Sequence, residues 1–272
     1  MTSSELRPRP DGAAVRRLLR DGVLTVDGRL VEASNTTLRG TLTLDGVSAH
    51  CVYKPIRGER PLWDFPDGTL ADREVAAYLV AEALGGELVP PTVLRDGPFG
   101  TGSCQWWIDE PDGAAPLVGF VSADAVPPGW FPIAAARDDD GTAYTLAHAD
   151  DPRLARLAVF DAVVNNADRK GGHVLVGPDD RIYGVDHGVT FHVEEKLRTV
   201  LWGWAGRTLT PDLVAALAVL ADRLDADLGE QVARHLTVAE VAALRDRVDG
   251  LRSTGRFPLP PRDGPAFPWP PI

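Results

Sequence analysis

A chain of 272 residues with 44% hydrophobic and 25% charged residues is ordinary globular material, long enough for two lobes or one large α/β domain. Its formal charge of −11 excludes a general nucleic-acid binder, since phosphate contacts need clustered Lys and Arg, and disfavours docking on an anionic membrane. No apolar run reaches the roughly eighteen residues of a membrane span, and Met1 to Arg7 lack the basic-then-apolar order of a secretory leader, so the expectation is a cytoplasmic protein without stable membrane anchoring.

Along the chain, Asp11 to Arg20 reads as a short amphipathic helix with Val15, Leu18 and Leu19 on one side. Three β-favouring runs follow, at 22–32, 38–44 and 47–53, punctuated by Asp27-Gly28 and Asp45-Gly46, which are hairpin turn signals. Residues 69–84 have helical spacing and stop at Gly85-Gly86. The runs 88–94 and 103–108 return to strand. Strands, helix, strands is the order of an α+β lobe with an antiparallel sheet, and the boundary of that N-lobe falls at residue 108. Residues 109–149 are rich in Pro, Gly, Ala and Asp and read as loop, with one apolar run at 117–121. A strongly apolar helix is expected over 152–164, a polar turn next, and a hairpin of 173–176 with 181–185. Thr210-Pro211 is a helix start, and Thr237 with Glu240 is a capping box opening another. Residues 109–256 make a C-lobe, and the proline-rich stretch 257–272 is a tail, extended along the body or engaged with a partner. Cys51 and Cys104 lie in apolar strands with no zinc-type spacing and read as buried thiols.

Three segments carry chemistry. Asn165-Asn166-Ala167-Asp168-Arg169-Lys170-Gly171-Gly172-His173 packs polar groups onto a short loop held by a helix and a hairpin, as a catalytic loop requires. Asp186, after an apolar strand and just before His187-Gly188, offers an oxygen ligand to a hard divalent cation. Lys54 emerges at the end of an apolar strand in a chain with only three lysines, and its ammonium requires an anion, either phosphate oxygens or the carboxylate of Glu74. Strand lysine, helix glutamate, Asp loop and Asp-x-Gly, in that order, are the parts of a protein-kinase-like phosphotransferase. The fold expected is two-lobed, with an antiparallel-sheet N-lobe and a mainly helical C-lobe.

On these residues the chain resembles the phosphatidylinositol 3- and 4-kinase-like superfamily, and an actinobacterial-type family similar to it. Asp168 to His173 stands where those kinases carry Asp-Arg-His-x-x-Asn, Asp186-His187-Gly188 where they carry Asp-Phe-Gly, and Asn166-Ala167-Asp168 is similar to the Asn-x-Asp of HipA-type kinases. The resemblance implies ATP with Mg²⁺ or Mn²⁺. It implies that Lys54 binds the α/β-phosphates and pairs with Glu74, that Asp168 positions or deprotonates the acceptor hydroxyl, that Arg169 or Lys170 stabilises transferred charge, and that Asp186 holds the metal. Ser34, Asn35 and Thr36 would cover the phosphates, and Gln105, Trp106, Trp107 and Ile108 would form the adenine-binding hinge. His173 replaces the family's metal-binding asparagine with a softer ligand, and His187 replaces phenylalanine. The acceptor expected is a soluble small molecule or protein, because Glu194 and Glu195 accompany Lys196 and Arg198 where lipid kinases carry a basic loop. A regulatory pseudokinase and an AMP transferase are the competing expectations.

Overall fold

Alternation of side chains along 38–55 sets the first half of the structure, a computed structural model that describes residues 12–30, 35–85, 87–178 and 180–272. The elements are α1 (Gly12–Asp21), β1 (Val23–Arg29), β2 (Leu38–Leu44), β3 (Val47–Pro55), β4 (Thr92–Gly97) and β5 (Gly100–Trp106), with the strands in the antiparallel order β1-β2-β3-β5-β4. Ala49, Cys51 and Tyr53 of β3 point to a core shared with Leu19 of α1 and Leu42 of β2, and Lys54 therefore falls on the opposite face. The β2–β3 turn is Asp45-Gly46 with φ of 51° and 80°, the left-handed pair that a two-residue hairpin needs. Strand is absent at Leu88 and Val89, where it was expected. Pro90 and Pro91 donate nothing to a ladder, so β4 starts only at Thr92.

The chain divides into two compact units. The first comprises the described residues up to Pro61 with Pro90–Trp107; the second comprises Leu62–Val89 with Ile108–Ile272. The helix α2 (Leu70–Leu84), expected with the N-lobe, clusters with the second unit. It is apolar nearly all round, and its Arg73 forms a buried ion pair with Glu240 at 2.5 Å and donates to the Thr190 carbonyl. Thr69 caps it, accepting from the Asp72 amide at 3.0 Å.

The rest of the second unit is a three-stranded antiparallel sheet of β6 (Val118–Ser122), β7 (Trp130–Arg137) and β8 (Ala143–Ala149) in the order β6-β8-β7; the helix α3 (Pro152–Val164); the hairpin β9 (Val174–Val176) with β10 (Ile182–Gly184); and the helices α4 (Pro211–Leu224), α5 (Asp227–Val232) and α6 (Val238–Thr254). The sheet corrects the expectation of loop over 109–149. Only β8 is well buried, through Leu146, Ala147 and His148, while β7 is half-buried, rich in alanine and broken by a bulge between Pro132 and Ala134. A strand so composed shows neither alternation nor β-branched enrichment. The capping box at Thr237 and Glu240 is present. Trp202 and Trp204 are buried packing residues, Trp204 donating to Asp150. Residues 257–272 lie against the rest of the second unit without helix or strand, bending at 262–264, 266–267 and 269–270. Among the described residues no helix is long and apolar enough to cross a membrane.

Helical periodicity makes a direct test of this packing. Leu217 is fully buried and Val219, two residues on, is 52% exposed. Denaturant unfolding should show Leu217→Ala losing about 2–5 kcal/mol of stability and Val219→Ala shifting it by no more than about 0.5 kcal/mol.

Candidate functional site

The site is built where α3 stops. Asn165 ends that helix at φ 52°, and its side chain is spent on backbone: the amide donates to the His192 and Glu194 carbonyls and the oxygen accepts from Lys196 N–H. Asn166 turns the chain by accepting from the Asp168 amide at 2.9 Å. Residues 166–169 are then held from the side by 198–200, through Arg198 N to Asn166 O, Arg169 N to Arg198 O and Val200 N to Arg169 O at 2.9–3.2 Å. The loop after Asp186 is tied to the same stretch, since the Ala167 amide donates to Val189 O.

Arg169 is the hub. Its side chain and that of Asp161, inside α3, are both 0% exposed and paired at 2.9 Å. Nε and Nη2 bond the Asp161 carboxylate, Nη1 donates to the Val185 carbonyl at 2.8 Å and to that of His173 at 3.3 Å, and Nη2 also meets His187 Nε2 at 2.7 Å. Asp161 further accepts from Asn166 Nδ2 and Thr199 Oγ1. A guanidinium only donates, so His187 Nε2 accepts and the neutral ring carries its proton on Nδ1, the nitrogen 3.8 Å from Glu74 Oε2. Gly184 makes room for this: a Cβ there would sit 3.0 Å from Arg169 Nη2 and 2.9 Å from Leu157 Cδ1. Arg169, read from the sequence as stabilising transferred charge, is thus enclosed and engaged within the protein, where it holds the flanking loops.

Two carboxylates face outward from these loops. Asp168 lies 3.3 Å from the Lys170 ammonium, and Asp186 lies 3.6 Å from His173 Nε2. Burial pushes the Asp168 carboxyl above its ordinary pKa against the opposing pull of Lys170, with Asp186 adding to the rise. A carboxylate so raised is a better proton acceptor. Asp186 is half exposed and sits at φ 61°, a left-handed conformation that non-glycine residues adopt rarely and mostly under local constraint. Among the described residues no group of three or more His, Cys, Asp or Glu surrounds a potential ion position. One carboxylate with one imidazole suits a divalent cation that keeps most of its water or brings phosphate oxygens with it, as Mg²⁺ and Mn²⁺ do with nucleotides.

The second unit therefore brings together Asp168, Lys170, His173 and Asp186, and places Glu74 beside His187. Lys54 belongs to the first unit, half-buried on β3 opposite Ser103. Ser34 lies outside the described residues. Asn35 accepts from the Arg60 amide and Thr36 N–H donates to Gly58 O, so that this loop is folded onto the turn after β3. Gln105 is buried with its amide on Thr92, Trp106 N–H is used by Pro91 O, Trp107 N–H by His50 O, and Ile108 begins the second unit. Sequence reasoning missed Asp161 and the bridging role of His187. The signal for Asp161 was present, as a single carboxylate in the run Leu157 to Val164.

Two solved structures share this architecture. A Golgi casein kinase matches with a TM-score of 0.52 at 14% identity, over 89% of this chain and 74% of its own. A hydra Fam20 protein solved with sugar matches with a TM-score of 0.52 at 13% identity, over 92% of this chain and 89% of its own. What these likenesses show is a kinase-like fold, an α+β structure with an antiparallel sheet. No protein-family model matches the chain. Protein Rv2133c of Mycobacterium tuberculosis is 51% identical over 261 residues, 93% of this chain and 94% of its own, and the chain belongs to the family of that protein.

Two measurements test the site. Breaking the enclosed pair with Asp161→Ala strands a buried cation and should cost about 3–5 kcal/mol in denaturant unfolding. Asp168→Asn should act oppositely. A native carboxyl with a raised pKa holds its proton more tightly than the unfolded chain does, so wild type loses stability as pH rises through that pKa. The variant should melt higher than wild type at neutral pH, with the margin vanishing as pH falls below the ordinary carboxylate range.

Proposed function

We propose that this protein is an ATP- and divalent-metal-dependent phosphotransferase acting on a hydroxyl of a soluble acceptor, a small molecule or a protein side chain. The observation that carries the reading is the pairing of Asp168, its pKa raised, with Asp186, its backbone left-handed, on two loops joined through one buried guanidinium. In this reading Asp168 orients and deprotonates the acceptor, Asp186 and His173 hold the metal, and Lys170 offsets charge on the group in transit. Lys54, with the loop of Ser34, Asn35 and Thr36, is assigned the nucleotide's phosphates, and residues 105–108 the adenine edge.

The kinship with phosphatidylinositol 3- and 4-kinases is proposed for the nucleotide machinery alone. Val193, Glu194 and Glu195 are exposed where a lipid-headgroup reader would need basic side chains. His187 counts for activity and against a decayed site, because it is fully buried and bonded to Arg169 next to the metal-holding residue. We place the protein in the cytoplasm as part of the same proposal.

The test is thermal unfolding with ATP and Mg²⁺ or Mn²⁺, combined with product analysis. Ligand at a hundred times its Kd should raise native stability by about 2.7 kcal/mol, and Asp186→Ala should remove the metal-dependent part. ADP with label on the acceptor supports phosphoryl transfer; released pyrophosphate replaces it with AMP transfer. No shift with either metal rejects the nucleotide site.

A further inference from the structure

Residues 257–272 contain neither helix nor strand, yet their path is fixed at three places. Phe257 stacks on Trp204 at 6.0 Å, and its amide donates to Arg207 O at 2.9 Å. The Ala266 carbonyl receives two donors, Thr199 N–H at 3.2 Å and Trp202 Nε1–H at 2.9 Å. The Pro271 carbonyl accepts from Gly171 N–H at 2.8 Å, and the side chain of Ile272 covers Gly171 so closely that a Cβ at that position would run into Cδ1.

One of these anchors falls on the loop that carries Asp168, and a second on the stretch paired with it. Thr199 pairs in parallel with Arg169, inside the stretch 198–200 that brackets 166–169. Gly171 opens the single 3-10 turn of 171–173, between Lys170, set against Asp168, and His173, set against Asp186. The first N–H groups of such a turn have no partner within it. Gly171 is buried, so its amide needs an acceptor from elsewhere, and Pro271 supplies one. Prolines fix φ before docking, so a strap with seven of them among its sixteen residues loses less conformational entropy when it seats.

We propose that residues 257–272 are a positioning strap, holding Lys170–His173 in the conformation that places Lys170 on Asp168 and His173 on Asp186. Its consequence for turnover rests on the phosphotransferase reading; its effect on the loop does not. The two are separated by combining hydrogen exchange of the peptide spanning 165–176 with steady-state kinetics, on the full chain, on a deletion of 266–272 and on Ile272→Gly.

The deletion should speed exchange in 165–176 about tenfold or more while α3 and α6 keep their protection. Phosphotransfer kcat should fall about tenfold or more with KM for ATP nearly unchanged, and a peptide of residues 262–272 added in trans should restore part of it. Unchanged exchange in 165–176 overturns the strap, as does faster exchange with kcat intact. If the full chain shows no transfer at all, exchange alone decides the strap and the silence counts against the phosphotransferase reading. Should the deletion unfold α3, the same readouts on Ile272→Gly decide, with loosening of 165–176 expected.

Discussion

A guanidinium removed from water must be matched donor by donor, and Arg169 is so matched: carboxylate oxygens of Asp161, the carbonyls of Val185 and His173, and the ring nitrogen of His187. The partners come from α3, from the turn before β9, and from Val185 and His187 on either side of Asp186. A buried ion pair adds little net stability compared with an apolar replacement, because both ions must be desolvated. It is demanding in geometry, though, since any displacement leaves a charge unpaired in a medium of low dielectric. The pair therefore acts as a jig. Both outward carboxylates, Asp168 one residue before Arg169 and Asp186 one residue before His187, take their positions from it.

The same enclosure explains the contrast between the two carboxylates. Asp168 stands beside the enclosed cluster and is half-buried itself, which raises its pKa and fits it to a proton. Asp186 is turned out by its left-handed backbone to half exposure, which keeps it accessible to a hydrated cation. With His173 as the paired donor, the protein offers a cation only a fraction of a coordination shell. In the proposed reaction a metal entering with nucleotide phosphates would complete that shell, and metal and nucleotide would bind as one ligand.

Much of this was legible in the sequence because it depends on local rules. The Asp-Gly turn at 45–46, the stop of α3 before Asn165, the hairpin before Asp186 and the capping box at Thr237 are each set by a few adjacent residues. What was not legible depends on tertiary contact. In the sheet of β6, β7 and β8, β7 is half-buried, rich in alanine and bulged, and the central strand β8 is held through His148, which packs against Trp204 and against Phe131 of β7. The placement of α2 with the second unit follows from Arg73 meeting Glu240, residues 167 positions apart in sequence and joined only by the fold. His187 read as a departure from a familiar motif because its partner, Arg169, bonds it across two loops, and no spacing rule encodes that bond.

The tail completes the same logic from outside. Arg169 fixes the loop from within the core by side-chain bonds, while 198–200 and the strap fix it from its flank by backbone bonds at Thr199 and Gly171. The inner set is inaccessible to water and cannot change without disrupting α3. The outer set ends in an exposed segment whose Leu259 and Trp269 are 69% and 88% exposed. Backbone bonds to a segment that is itself partly exposed open locally at lower free energy than a buried charge pair. Of the two restraints on Lys170 and His173, the strap is thus the one that solvent, temperature or a competing surface can release while the fold stays intact.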